Sequence, residues 1–193
     1  MKISGYVTDK LGNPIPDAQV ELKNESFESV YITRSDINGF YSINASDDRF
    51  PFITAVSEYA EKYLEFWGHN IDLTRELNLN IKFDKIEIYG LNAFSVKGAY
   101  PALNVYFRPM SLEKFKCGDA DIAPDIRTLR VMIDGVQTKV LNQSKVPEFI
   151  GNRNLTAFLL QVELPKGGYL WESLKIEITD TDENYGEAIL FGN

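Results

Sequence analysis

The stretch from Tyr31 to Ile43, YITRSDINGFYSI, constrains the fold more than any other part of this chain. Tyr31 and Thr33 share a period of two, and Phe40, Tyr41 and Ile43 resume it beyond a polar break containing Gly39, so the segment predicts two strands joined by a tight connection. Asp36 and Asn38 can bond their own backbone or accept a left-handed conformation at low cost. Aromatic and β-branched side chains on both arms give the pair something to bury. The stretch is therefore the expected central hairpin of an all-β domain.

The same alternation continues on either side. Ile3, Gly5 and Val7 oppose Ser4, Tyr6 and Thr8 before the DKLGNPIP turn, where Pro14 and Pro16 cannot enter a ladder. Ala18, Val20 and Leu22 alternate with Gln19, Glu21 and Lys23, which predicts a half-exposed strand. FPFITAV (50–56) is a further strand, with Pro51 placing its start at an edge. The segment from Tyr59 to Trp67 fits a helix or a strand face, and Leu77, Leu79, Ile81 and Phe83 close the first block. Short strands with polar turns need two layers packed face to face, because neither sheet alone covers its apolar side.

Gly5, Val7 and Asp9, then Gly12, Pro14, Ala18, Val20 and Leu22, then Thr33, Asp36, Gly39 and Tyr41 resemble the carboxypeptidase regulatory-like domains. That resemblance spans residues 1–80 and implies a transthyretin-like sandwich of seven strands with a supporting or adhesive role. It supplies no catalytic residues. Where such domains usually carry a Gly-Tyr pair beyond the hairpin, this chain has Glu58 and Tyr59.

Residues 84–193 read as a second antiparallel β-sandwich or jelly-roll, joined through a linker near Lys82 to Lys85 so short that the two blocks must touch. Ile86 and Ile88 open a strand; Leu103, Val105 and Phe107 form another, stopped by Pro109. Ser111 to Arg127 is the longest loop-like interval, and Pro147 to Asn154 a second loop. Asp134-Gly135 marks a tight hairpin between Ile133 and Val136. TAFLLQVEL (156–164) is the most apolar strand and is expected at the centre of its sheet; LKIEI (174–178) and the segment reaching Ile189 and Phe191 complete the block.

Charge excludes some partners. With 28 acidic and 20 basic residues the formal charge is -8, and no Lys/Arg cluster overrides it, which argues against nucleic acid or an anionic membrane. No apolar run is long enough for a membrane span, and MKISGYVTD enters a strand pattern without an apolar leader region. These features assign no compartment: the expected location is extracellular or cell-surface if a signal peptide has been removed, and otherwise cytoplasmic. A lone Cys117 forms no internal disulfide, and a lone His69 gives no multi-histidine metal centre; His69 reads as a loop residue without a role. Nucleotide-binding and serine-hydrolase motifs are absent from the sequence.

Two groups remain as candidate sites. Asp119, Asp121 and Asp125 form the densest acidic group within a loop and are the candidate ligands of a calcium ion, beside the plainer reading of a solvated loop. Trp171, Tyr169, Tyr100 and Trp67 lie near turns, where a large ring can present a flat face to a sugar or to a protein partner. The expected function is a non-catalytic carbohydrate-binding or surface-associated accessory module with a polysaccharide or protein partner. The alternatives are a structural or assembly protein working through sandwich loops or edges, and a small enzyme of unassigned class.

Overall fold

The structure is a computed structural model that describes residues 1–151, 153–164, 168 and 170–192. The first half runs through β1 (Lys2–Thr8), β2 (Gln19–Lys23), β3 (Ser29–Arg34), β4 (Phe40–Asn44), β5 (Arg49–Val56), β6 (Phe66–Asp72), β7 (Leu77–Asn78) and β8 (Ile81–Lys82). The second contains β9 (Ile86–Phe94), β10 (Ala102–Ser111), the helix α1 (Leu112–Cys117), β11 (Ile126–Ile133) and β12 (Val136–Thr138). It closes with β13 (Val140–Ile150), β14 (Arg153–Glu163), β15 (Ser173–Asp180) and β16 (Tyr185–Phe191).

These strands form three sheets. One is small and carries β4, β1, β7 and β8; a second has the order β13-β14-β10-β9; the third is eight-stranded, β12-β11-β15-β16-β6-β5-β2-β3. The protein is all-β and sandwich-like, but the expected pair of closed sandwiches with their own sheets is replaced by two sandwiches that share a layer. The seam is a parallel pairing of β16 with β6, in which Trp67 lies beside Ala188, Gly68 beside Ile189 and His69 beside Leu190.

The two apolar cores lie on opposite faces of the shared sheet. Ile3, Val20, Tyr41, Ile53, Phe66 and Phe83 belong to the first; Ile88, Phe107, Val131, Phe158, Ile176 and Leu190 belong to the second. On β16, Ala188 and Leu190 enter the second core while Ile189 and Phe191 pack on the first. That strand is apolar on both faces because both faces are covered. Gly68 makes room at the seam, since a Cβ there would sit 2.6 Å from Ile53 Cγ2 and 3.2 Å from Ile189 Cγ2.

Several sequence expectations change. β3 and β4 do not pair with each other: β3 pairs with β2 and β4 with β1, so Tyr31 to Ile43 crosses between layers and β3 is an edge, not a centre. Ser35 fixes that crossing, its hydroxyl donating to the Ile15 carbonyl and accepting from the Ala18 N–H. The first half has eight strands, because Gly5 admits the Leu79 carbonyl and the last alternation splits into β7 and β8, both parallel to β1. Pro51 lies in a strand flanked by β2 and β6, yet beyond the point where β2 ends at Lys23 opposite Phe52. β10 continues through Pro109 because only β9 pairs with it there, β14 having stopped at Phe107. The loop expected at 147–154 belongs to the long β13–β14 hairpin, and the Ser111 interval holds α1, capped by the Ser111 hydroxyl.

One turn occurs four times. Asp9, Asn24, Asp36 and Asp180 each accept, through a side-chain oxygen, the N–H groups two and four residues later. In each, the residue three positions on has positive φ: Gly12, Phe27, Gly39 and Glu183. Two of the four are thus non-glycine residues in a conformation that costs them backbone strain.

Candidate functional site

The shared sheet leaves an aromatic cleft beside its seam. Trp67 and His69 project from the face of β6 that the first core does not use, and β9 of the second half lies across them. The cleft, about 310 Å³, is lined by Phe27, Phe52, His69, Tyr89, Asn92 and Leu190 among others. Phe27 stacks on Phe52 with ring centroids 4.8 Å apart, and Trp67 stands edge-on to both, at 6.1 and 5.9 Å. Tyr89 meets Trp67 edge-on at 5.2 Å, and the Arg108 guanidinium lies over the Tyr89 ring at 4.7 Å.

Carboxylates stand behind the aromatic wall. Glu87, buried on β9, accepts from Trp67 Nε1 at 2.9 Å and, at 3.4 Å each, from the Tyr59 hydroxyl and the Glu65 N–H. Burial raises its carboxyl despite those donors. Glu65 is pushed up to about 7 by burial and then by the charge of Glu87. The Tyr59 phenol rises to about 12 by burial and the same two carboxylates. His69 is only 6% exposed, and burial holds its imidazole down at about 4, so the ring is neutral at pH 7. Arg108 is tied to Glu148 at 2.7 Å. Two buried side-chain nitrogens in this cluster, His69 Nε2 and Arg108 Nε, have no hydrogen-bond partner.

The sequence-predicted residues scatter. Trp67 is in the cluster, whereas Trp171 is half-buried against the second core and lines a separate cleft of about 480 Å³ with Phe94 and Leu103. Tyr100 is exposed on the β9–β10 connection, and Tyr169 falls outside the described residues. The acidic trio is engaged by protein donors in part: Asp121 accepts from the Thr156 N–H and hydroxyl at 3.1 and 2.6 Å, and Asp125 pairs with Lys114 at 2.9 Å. Asp119 is exposed just past the helix cap. Among the described residues no group of three His, Cys, Asp or Glu is placed to hold a metal ion. Sequence reasoning missed His69, Glu65, Glu87 and Arg108; His69 sits on a strand and not in a loop, within a run that is apolar enough to have suggested burial.

Strand edges are the other exposed feature. β13 carries Lys145 and Pro147 and an irregularity between Val140 and Asn142 in its pairing with β14, and β12 is three residues long, all devices that discourage pairing with another chain. β3 has neither Lys nor Pro. It exposes Val30 at 49% and Ile32 at 59%, and among the described residues no strand pairs with its outer side.

No family model matches the chain, and no curated protein does. Among solved structures, it is similar to BcpA, the major pilin subunit of Bacillus cereus, at 14% identity and TM-score 0.33, covering 98% of this chain and 67% of that one. It is also similar to a DUF3823 family protein from Bacteroides ovatus ATCC 8483, at 9% identity and TM-score 0.34, covering 98% of both chains. Likenesses this low carry no argument about function.

Proposed function

We propose that the chain is a structural, non-catalytic subunit that assembles through the open edge of β3, with a second copy of itself as partner. The observation that carries this reading is the eight-stranded sheet, which runs through both halves and ends at β3 in an unguarded, apolar strand. Strand addition there supplies main-chain hydrogen bonds along the edge, and side chains set the register. A two-fold axis at Tyr31 puts Val30 opposite Ile32 and Glu28 opposite Arg34, so that apolar meets apolar and acid meets base. A transthyretin-like, carboxypeptidase regulatory-like first half would suit such a scaffold.

Light scattering over a range of protein concentration tests the reading, with amide exchange on β3 read in parallel. The expected result is a dimer that dissociates in Ile32→Lys and persists in Phe149→Ser, whose site is an exposed tip of the other hairpin. A strict monomer whose β3 amides exchange at the same rate at every concentration overturns it.

A further inference from the structure

We propose that the cleft beside the seam is a binding site for one neutral, multiply hydroxylated ring, the hexose unit of a saccharide. This site is independent of the β3 edge. Its walls suit such a ring: Phe52, Phe27 and Tyr89 offer aromatic faces and edges for apolar C–H groups. Polar groups at the rim and floor, Asn92 and His69, suit hydroxyls, and a volume of about 310 Å³ is at the small end of ligand pockets.

The electrostatics select for neutrality. Glu87 stands behind the wall, bonded to Trp67 Nε1 where that ring meets Phe27 and Phe52, so an acidic ligand would bring a second carboxylate up to it one side chain away. A cation would meet the Arg108 guanidinium on the Tyr89 face, where a cation would otherwise stack. A hydroxyl avoids both conflicts, and it can donate or accept as the His69 tautomer requires. His69 Nε2 is enclosed and without a partner, on a ring that lines the cleft; a small turn of that ring would bring it to a ligand hydroxyl and remove the free-energy cost of an unmet buried nitrogen.

Phe27 points the same way. Among the four equivalent turns two place glycine at the left-handed position, whereas this one holds a Phe at φ 61, where a bulky side chain is strained. Phe27 is 46% exposed, and its ring stacks on Phe52 at the cleft mouth. Strain tolerated for a half-exposed ring is accounted for when that ring forms part of a recognition surface.

The test uses the full chain labelled for NMR and titrated separately with glucose, galactose, N-acetylglucosamine, cellobiose, glucuronate and choline. At least one neutral sugar is expected to shift the Trp67 indole, His69 and Tyr89 signals. Its Kd should weaken about tenfold or more in Phe27→Gly and in His69→Ala, and stay unchanged in Trp171→Phe. Phe27→Gly keeps the experiment decisive, because it relieves the strained φ and so preserves the fold while removing the wall. Silence from every neutral sugar, a response to choline or glucuronate alone, or shifts that survive Phe27→Gly and His69→Ala intact would overturn the proposal.

Discussion

Along the long sheet, β2, β5 and β6 bury one face in the first core, β15 and β11 bury the other in the second, and β16 between them feeds both. The reversal takes place across a single pair of strands, at Trp67–Ala188, Gly68–Ile189 and His69–Leu190. The first sandwich therefore leaves Thr54, Trp67 and His69 on its outside, and they are buried all the same. The second sandwich, by contrast, lends Ile189 and Phe191 to its neighbour's core. Each half completes the other, so the boundary between the cores is a change of face and not a break in the chain's hydrogen bonding.

The largest expected effect follows from cutting that arrangement. Residues 1–84 expressed alone would expose Trp67 and His69 to water, and the expected result is loss of a cooperative transition. In the intact chain, Trp67 fluorescence in a Trp171→Phe background and far-UV circular dichroism should trace one coincident curve in denaturant. Two separated transitions, or a well-folded 1–84 segment, would restore the picture of independent sandwiches.

Gly68→Val attacks the seam without removing either half. The new side chain overlaps Ile53 and Ile189, which hold the β5–β6–β16 layer together. The expected loss is about 3 kcal/mol, read as a fall in the denaturation midpoint at constant slope. A loss below about 0.5 kcal/mol would mean that β6 and β16 part easily.

The pH profile sharpens the comparison at the cleft. Glu65, raised from 4.5 to about 7, binds its proton more tightly in the folded state, so its contribution is full below pH 4.5 and is lost as pH rises to about 7. Glu87 has the same sign. His69, lowered from 6.5 to about 4, contributes fully above pH 6.5 and loses that contribution as pH falls to about 4. The opposed slopes offset each other between pH 4.5 and 6.5. Glu65→Gln should therefore tilt the profile toward stability rising with pH in this window, with Glu87 still opposing His69, and His69→Gln should leave it falling, by up to about 3 kcal/mol in each case. Superimposable profiles for the two variants would mean that water reaches both groups.

Much of this architecture was legible in the chain and its missing part has a physical cause. Period-two alternation located nearly every strand, and Asp134-Gly135 and TAFLLQVEL behaved as read, the latter lying between β13 and β10. Alternation says which residues share a face but not which strand lies alongside; that is why Tyr31 to Ile43 looked like a hairpin when its two arms belong to different sheets. Pro109 misled for the same reason, because it occupies a strand at a point where one neighbour has ended, whereas Pro51 marks the start of β5 beyond the end of β2, the local edge that was expected there. The cleft was less legible still. Glu87 alternates with Ile86 and Ile88 as an outward residue should, and only the face reversal at β6 turns its outward side into a buried one.

The smallest effects compare the repeated turn across the two halves. Asp9 and Asp180 anchor the same five-residue pattern, closed in each case by an Asn whose side chain returns to the carboxylate, at 2.9 and 3.0 Å. The first has Gly12 at the left-handed position with open space around it; the second has Glu183 at φ 64. Gly12→Ala should cost up to about 1 kcal/mol, and Glu183→Gly should bring a gain of similar size, measured by thermal unfolding. The Glu183 carboxylate also pairs with Arg127, but both side chains are largely exposed, so losing that pair subtracts little. If Glu183→Gly were instead destabilising by more than about 1 kcal/mol, the ion pair would outweigh backbone strain, and the two turns would be alike in shape while differing in what holds them.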